Sequence, residues 1–387
     1  MIKEINDIMV GFDLCRDNSM MSFYTRNHTE PRTVSREPGE RKYQIPTPKD
    51  VFPLVEQKAE LGVALLSSFF KQCFEMLGAV GGRRSVSVMV TMDKIREGWP
   101  EAIVQALGML DIPRERVYLQ EHLESFYHYV LNQKKELWNY QVAMLEYKQD
   151  RVTGYEMSID RSTKPAFVSV EKKFRLYFDE KARKGRTDGE WKKLRDRLLL
   201  ERVQEMFRDK TFSSVYLLGE EFEKPWAEKT IAFLCRRRHV FQGDNLFVKG
   251  ACYGAMERAG LVSTGNFLYR GPDMIEHNVG MEMMVRGIDT YQPMISAGIS
   301  SYAAFYECEF LLNGTDEVML ESRDLEGTEA THTITLTNLP KRPDRATRIR
   351  MQLTFPEKNQ CRVRLDDLGL GDLYPSSGRQ WETIIEL

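Results

Sequence analysis

The stretch VGFDLCRDNS, Val10 to Ser19, sets an acid, a thiol, a guanidinium, an amide and a hydroxyl at the end of an apolar run. This order suits a strand running into a phosphate-binding turn, with Asp13 at the strand's end and Asn18 and Ser19 as hydrogen-bond donors. Such a turn wants glycine, because only a residue without a Cβ lets backbone N–H groups close on phosphate oxygens. Cys15, Arg16 and Asp17 stand at that corner instead. Arg16 can hold a phosphate by charge, whereas Asp17 repels one: two unit charges ~4 Å apart at an effective dielectric of ~20 interact by ~4 kcal/mol. The other reactive side chains are scattered. His122 and His128 are spaced wrongly for a shared metal on one helix face and read as surface residues of a helix. None of the six cysteines forms a C-x-x-C pair, so neither a metal site nor a disulfide framework is expected.

Composition bounds what these groups can serve. A chain of 387 residues with 42% apolar side chains is long enough for two or three folded domains. Its net charge of −2, from 55 basic and 57 acidic residues, argues against a nucleic-acid partner. The basic stretch KKFRLYFDEKARKGRTDGEWKKLRDR and the cluster Arg236-Arg237-Arg238 read as solvated helix faces, since acids are interleaved. No run approaches the ~20 apolar residues that a membrane helix needs, and MIKEINDIMV lacks a signal-peptide pattern. A cytoplasmic protein with reduced thiols and no membrane contact is expected.

The elements that must position the Asp13 corner follow from periodicity. DIMVGFDL, NSMMSFYTR and RKYQIPT predict three strands. A helix follows from about Val51, with Leu61, Leu65, Phe69, Phe70, Cys73 and Leu77 on one face and Gly81-Gly82 at its end. SVSVMVTMD is a β-branched run suited to a covered sheet, and a helix, the strand RVYLQE and the helix HLESFYHYVL complete the unit. The pattern then repeats: a three-strand meander over YQVAMLEYK, RVTGYEMSI and PAFVSVEKKF, with KQDR as a hairpin turn. A charged helical region over about Lys181 to Lys210, the strand SSVYLLG, the helix PWAEKTIAFLCRRR and a small-residue helix in NLFVKGACYGAMERAG follow. The expected division is 1–265, in halves of about 1–135 and 136–265, followed by 266–387. In the last part strict alternation, as in Thr333-Ile334-Thr335-Leu336-Thr337, predicts an antiparallel β-sandwich, with Asn313-Gly314 as a type I′ hairpin.

In the order of their motifs, the paired α/β halves resemble the actin-like (ribonuclease H-like) ATPase fold. With the sandwich behind them, nearly the whole chain resembles the DnaK-type heat-shock chaperones. VGFDLCRDNS stands at that family's first phosphate loop, Gln120-Glu121-His122 at its Asn-Glu-Pro tripeptide, and Glu146-Tyr147-Lys148-Gln149-Asp150-Arg151 at its second phosphate loop. GEEF stands at its adenosine loop, and Gly250-Ala251 in its closing helix. The resemblance implies Mg-ATP as the cofactor. It assigns Asp13, Glu121 and Glu146 as catalytic candidates, and Asp13, Cys15, Arg16, Asn18, Ser19, Gly219, Glu220 and Gly250 as nucleotide-binding candidates. It also implies an extended apolar peptide in the sandwich, against Met281, Met283, Met284, Tyr302, Phe305 and Tyr306.

This sequence departs from the family's pattern at each phosphate contact. Glycine is missing at Cys15, the glycine run of the second loop has become Tyr147 to Arg151, and Glu220 replaces a glycine in the adenosine loop. The subdomain that carries the family's catalytic lysine shrinks to IPTPKDVFP, and no helical lid is expected after WETIIEL. These departures argue against ATP as a working cofactor. The expected function is a chaperone-like scaffold that binds a protein or peptide partner, a chaperone-type protein among the candidates, with little or no ATP hydrolysis. The enzymatic alternative is a divergent Mg-ATP-dependent ATPase using Asp13, Glu121 and Glu146. A further alternative is an actin-like filament or division-related protein.

Overall fold

A computed structural model describes residues 7–35, 43–78 and 86–387. The chain divides into two units, Met1–Arg270 and Gly271–Leu387.

The first unit opens with strands β1 (Ile8–Asp13), β2 (Asn18–Tyr24), β3 (Arg32–Thr33) and β4 (Ile45–Pro46), then helices α1 (Val51–Glu56) and α2 (Glu60–Glu75). It continues with β5 (Val86–Met92), α3 (Trp99–Gly108), β6 (Val117–Glu121) and α4 (His122–Leu131). These strands form one sheet in the order β3-β2-β1-β5-β6, with β4 against β2. β2 runs antiparallel to β1, whereas β5 and β6 follow parallel. Every residue of β1 is buried, as its uninterrupted apolar run requires of a central strand.

The second half of this unit holds β7 (Gln141–Lys148), β8 (Arg151–Asp160), β9 (Ala166–Tyr177), α5 (Glu180–Arg183) and α6 (Asp188–Met206). After these come β10 (Phe212–Leu218), α7 (Glu228–Leu234), β11 (His239–Gln242), α8 (Leu246–Arg258) and β12 (Phe267–Tyr269). Its sheet order is β11-β10-β7-β8-β9-β12. With β4 and β12 set aside, the strands of each half read third-second-first-fourth-fifth across the sheet, with an antiparallel meander followed by parallel crossovers. β12 pairs parallel with β9, which carries the first unit to Arg270 rather than 265.

The closing helices are exchanged between the halves. Phe126, Val130 and Leu131 of α4 pack with Val142, Met144 and Met157 of the second sheet. Ala251, Cys252 and Met256 of α8 pack with Met9 and Met89 of the first.

Local chemistry accounts for several departures from the sequence-based expectation. The long helix expected from Val51 is two helices, broken at Gln57 to Ala59, where Lys58 has φ 56°. Leu61 is 60% exposed, and the buried face of α2 is Leu66, Phe69, Phe70 and Cys73, with Phe12 edge-on to Phe69 and Phe70. Gly81-Gly82 lie outside the described residues. The charged helix α6 starts on a capping box between Thr187 and Glu190. Among the described residues no helix is long and apolar enough to cross a membrane.

The second unit contains β13 (His277–Val285), β14 (Ile288–Ile295), β15 (Phe305–Leu311), β16 (Glu317–Asp324) and β17 (Glu329–Thr335). The strands β18 (Arg348–Glu357), β19 (Gln360–Asp367), β20 (Gly369–Leu370), β21 (Tyr374–Pro375) and β22 (Gln380–Glu386) follow. Two antiparallel four-stranded sheets, β14-β13-β16-β17 and β15-β18-β19-β22, enclose a core that includes Val279, Leu320, Ile349, Leu353 and Val363. Asn313-Gly314 does not make a hairpin. β15 pairs with β18 while β16 pairs with β13 and β17, so this dipeptide carries the chain between sheets. Gly314 does take φ 67°, but buried Leu312, whose N–H bonds Thr347 O, has already turned the chain into the core. The loops at one end are locked by Asp367, fully buried in its side chain. It accepts two bonds from Arg342 at 2.8 Å, and further bonds from Ser377 and from the N–H of Gly369.

Candidate functional site

The Asp13 corner is built from the ends of β1 and β6 and the first residue of α4. Asp13 is 5% exposed, and its Oδ1 lies 2.8 Å from His122 Nε2. Cys15 Sγ donates to the same oxygen at 3.3 Å. The His122 ring stacks on Phe247 of α8, with centroids 4.1 Å apart and planes within 9°. Its Nδ1 finds no hydrogen-bond partner among the described residues. Burial pulls the His122 pKa down, but the Asp13 carboxylate beside it outweighs burial and the net direction is up. Burial and then Asp13 push the Cys15 thiol well up, so it stays a protonated donor rather than a thiolate.

Several polar groups of the turn after β1 are paired within the protein. Cys15 N–H bonds Ser19 Oγ at 3.1 Å, Ser19 Oγ meets Thr47 Oγ1 at 2.8 Å, and Thr47 Oγ1 donates to Cys15 O at 2.7 Å. Leu14 N–H goes to Thr91 O and Thr47 N–H to Asp17 O. Arg16 turns away from the corner: it pairs with Glu56 at 2.8 Å and lies over the Phe52 ring. Asn18 is exposed at the start of β2. The candidates Asp13, Cys15 and Ser19 are thus brought together, and Arg16 and Asn18 are not.

The other loops are equally committed. Glu121 accepts Ile95 N–H at 3.0 Å and faces Lys94 at 3.3 Å, which fixes the turn after β5. Glu146 is partly buried on β7; burial first, against the opposing pull of His122, raises its pKa. The second loop is a two-residue turn in which Gln149 and Asp150 both have positive φ, 51° and 55°. That is the backbone of a type I′ hairpin, too tight to wrap a phosphate. Gly219, at φ 105°, is needed because a Cβ there would meet Tyr147 O at 2.3 Å, and its N–H is taken by Asp244 at 2.9 Å. Glu220 is exposed, with Gln44 at 3.4 Å. Beside it Glu221 pairs with Arg195, whose guanidinium lies 4.1 Å over Trp226 and 5.0 Å over Phe178. Gly250 faces α4, where a Cβ would meet Ser125 O.

The two histidines expected on the surface of α4 are buried, His122 at 5% and His128 at 8% exposure. The correction has a readable cause: His122, Phe126 and Val130 recur at helical spacing, so His122 shares the apolar face. His128 lies 3.1 Å from Glu257 of α8 and 3.8 Å from Glu124. Burial lowers the His128 pKa, but the two carboxylates outweigh it and the net direction is up. Burial raises Glu257, but His128 and Thr264 outweigh it and hold the carboxyl down to about 2.

Glu257's contribution to stability is therefore present above its ordinary 4.5 and lost as pH falls toward about 2. That of His128 is present below its ordinary 6.5 and lost as pH rises through its higher folded value. Glu257→Gln should cost about 1 kcal/mol near pH ~5.5 and less near pH ~9 in urea unfolding. An equal cost at both pH values would remove the ion pair from the account.

In the sandwich, Met281 belongs to the core, Met283 and Tyr306 pack against it, and Tyr302 is partly buried. Phe305 and Met284 are exposed, by 38% and 55%. The expected groove residues are thus split between core and surface. The exposed ones join Ile288, Tyr291 and Leu311 on the end of β13 and on the edge strands β14 and β15.

Residues 274–387 match a "Domain of unknown function (DUF8552)". No curated protein matches the chain. Residues 53–271, more than half of the 387, match the "Family of unknown function (DUF5716) C-terminal". The chain belongs to the DUF5716 family.

Proposed function

We propose that this chain is a cytoplasmic, chaperone-like scaffold of actin-like architecture. Its nucleotide cleft no longer turns over ATP, and its sandwich binds a protein or peptide partner. The repeated third-second-first-fourth-fifth strand order and the exchanged closing helices support the architectural part. One observation carries the loss of ATP turnover: the imidazole of His122, stacked on Phe247, covers the carboxylate of Asp13 at 2.8 Å. A magnesium-water shell at Asp13 would have to displace a buried ring. The neighbouring hydroxyls of Ser19 and Thr47 are already paired with each other.

Partner binding is supported by the open edges β14 and β15 and by the exposed side chains of Met284, Ile288, Tyr291 and Phe305 on that side of the sandwich. An extended apolar segment can add a strand to such an edge, with backbone bonds for affinity and side-chain contacts for selectivity. Titration of the chain with Mg-ATP, and in parallel with a fluorescent extended apolar peptide, tests both parts. The expected result is no saturable heat up to ~1 mM Mg-ATP, a peptide Kd in the range of ~1–100 μM, and roughly tenfold weaker peptide binding in Ile288→Lys. Micromolar Mg-ATP binding abolished by Asp13→Ala would overturn the first part, and peptide binding indifferent to Ile288→Lys the second.

A further inference from the structure

We propose that Asp13, Cys15 and His122 form a binding site for a zinc-class transition-metal ion, a role independent of the partner-binding reading above. The carboxylate oxygen, the Sγ and the imidazole nitrogen all lie within 4.8 Å of one another. The ligands of one tetrahedral zinc ion, at ~2.0 Å for N and O and ~2.3 Å for S, are separated by roughly 3.3–3.8 Å. Asp13 Oδ1 and His122 Nε2, now 2.8 Å apart, must open by about 0.5 Å or more, and any pair near the 4.8 Å bound must close by about 1 Å, to reach that geometry. The donor set decides the class of ion. A thiolate with an imidazole and one carboxylate suits zinc or cobalt, while magnesium and calcium prefer oxygen alone.

The support around the three side chains is rigid. Asp13 ends a fully buried central strand, His122 begins α4, and Phe247 fixes the imidazole plane at 4.1 Å. Thr47 Oγ1, which donates to Cys15 O at 2.7 Å, and Ser19 Oγ, which accepts Cys15 N–H at 3.1 Å, pin the Cys15 backbone on both sides. Cys15 is only partly buried, which leaves a way in for the ion. Three protein ligands leave the fourth position to water.

Binding replaces existing bonds in a countable way. The Cys15 S–H proton is lost to solvent. His122 Nε2 gives up the proton it shares with Asp13, to solvent from the imidazolium or to the unpartnered Nδ1 from the neutral ring, and its lone pair and the Asp13 carboxylate then turn to the ion. Zinc uptake therefore releases at least one proton per ion in weakly buffered solution.

The test uses the whole chain, stripped with a chelator and titrated anaerobically with Co²⁺. One equivalent should produce the near-ultraviolet thiolate-to-cobalt charge-transfer band together with intense four-coordinate visible bands, and Zn²⁺ should bleach both. Cys15→Ser, at a partly exposed turn position, should keep the wild-type circular dichroism and lose the charge-transfer band. Asp13→Asn should weaken cobalt by at least ~10-fold. Cys235→Ser removes an exposed thiol elsewhere and should leave the band intact. Absence of the band at ~1 mM Co²⁺, its survival in Cys15→Ser or its loss in Cys235→Ser each overturns the site. A result with Mg-ATP bears only on the nucleotide reading, so the two proposals fail separately.

Discussion

Gly250→Ala should lose about 3 kcal/mol of stability, although alanine is the better helix former by ~1 kcal/mol. Gly250 sits inside α8 where it crosses α4, and a Cβ there would lie 1.9 Å from the carbonyl oxygen of Ser125 and 2.6 Å from its carbon. Both are backbone atoms, so no rotamer change relieves the clash and the helices must part. They are the exchanged helices that join the two sheets, and they carry His122 and Phe247 beside Asp13. Gly108→Ala is the matched control, at the end of α3, where a Cβ meets nothing within 4 Å. It should be neutral or slightly stabilising. Urea unfolding of the two variants checks the pair, and a Gly250→Ala protein as stable as Gly108→Ala would show that α4 and α8 are not in close contact. The same substitution should also unstack the His122 ring, which proton NMR reads as a downfield movement of the imidazole resonances away from the ring-current field of Phe247.

Most of the strand plan of the first unit was legible because burial writes itself as periodicity. The run Ile8 to Phe12 is apolar without interruption, so a central strand follows. The meander of β7, β8 and β9 was readable for the same reason, and so was the tight turn at Lys148 to Arg151. Side-chain partnerships were less legible, since they join residues far apart in sequence. Nothing near Asp13 says that the residue 109 positions later will cover it. Only the i, i+4 spacing of His122 with Phe126 hinted that this histidine points inward. Turn chemistry misled at Asn313-Gly314, where a dipeptide suited to a hairpin serves a crossing between sheets. There the burial of Leu312 and the pairing of β15 with β18 outweigh the local preference. Glycines misled in the opposite direction. Gly219 and Gly250 stand where nucleotide contacts were expected, yet each is held by the close approach of protein backbone, Tyr147 O and Ser125 O. A glycine in a sequence reports that something approaches closely, not what it is.

The largest single effect on the cleft should come from His122→Ala, at a cost of about 3–5 kcal/mol in chelator-treated protein. Removing the imidazole leaves the Asp13 carboxylate, 5% exposed, with the Cys15 thiol at 3.3 Å as its remaining side-chain partner among the described residues, and it strips Phe247 of its stack. Asp13→Asn should lift much of this cost when added to His122→Ala, because an amide needs no counter-charge. A double-mutant cycle then reports a coupling of at least ~1 kcal/mol. The pH dependence carries the sign. Burial alone would lower the His122 pKa, but Asp13 raises it above the ordinary 6.5, so the charged pair stabilises the fold fully below 6.5. That contribution fades as pH rises through the higher folded value. The stability gap between the wild type and His122→Gln should therefore be widest near pH ~6 and narrow toward pH ~9 in urea unfolding. A gap that does not change over that range would mean a neutral imidazole, held by its stack on Phe247 rather than by the Asp13 charge. The nucleotide argument would then rest on steric cover alone.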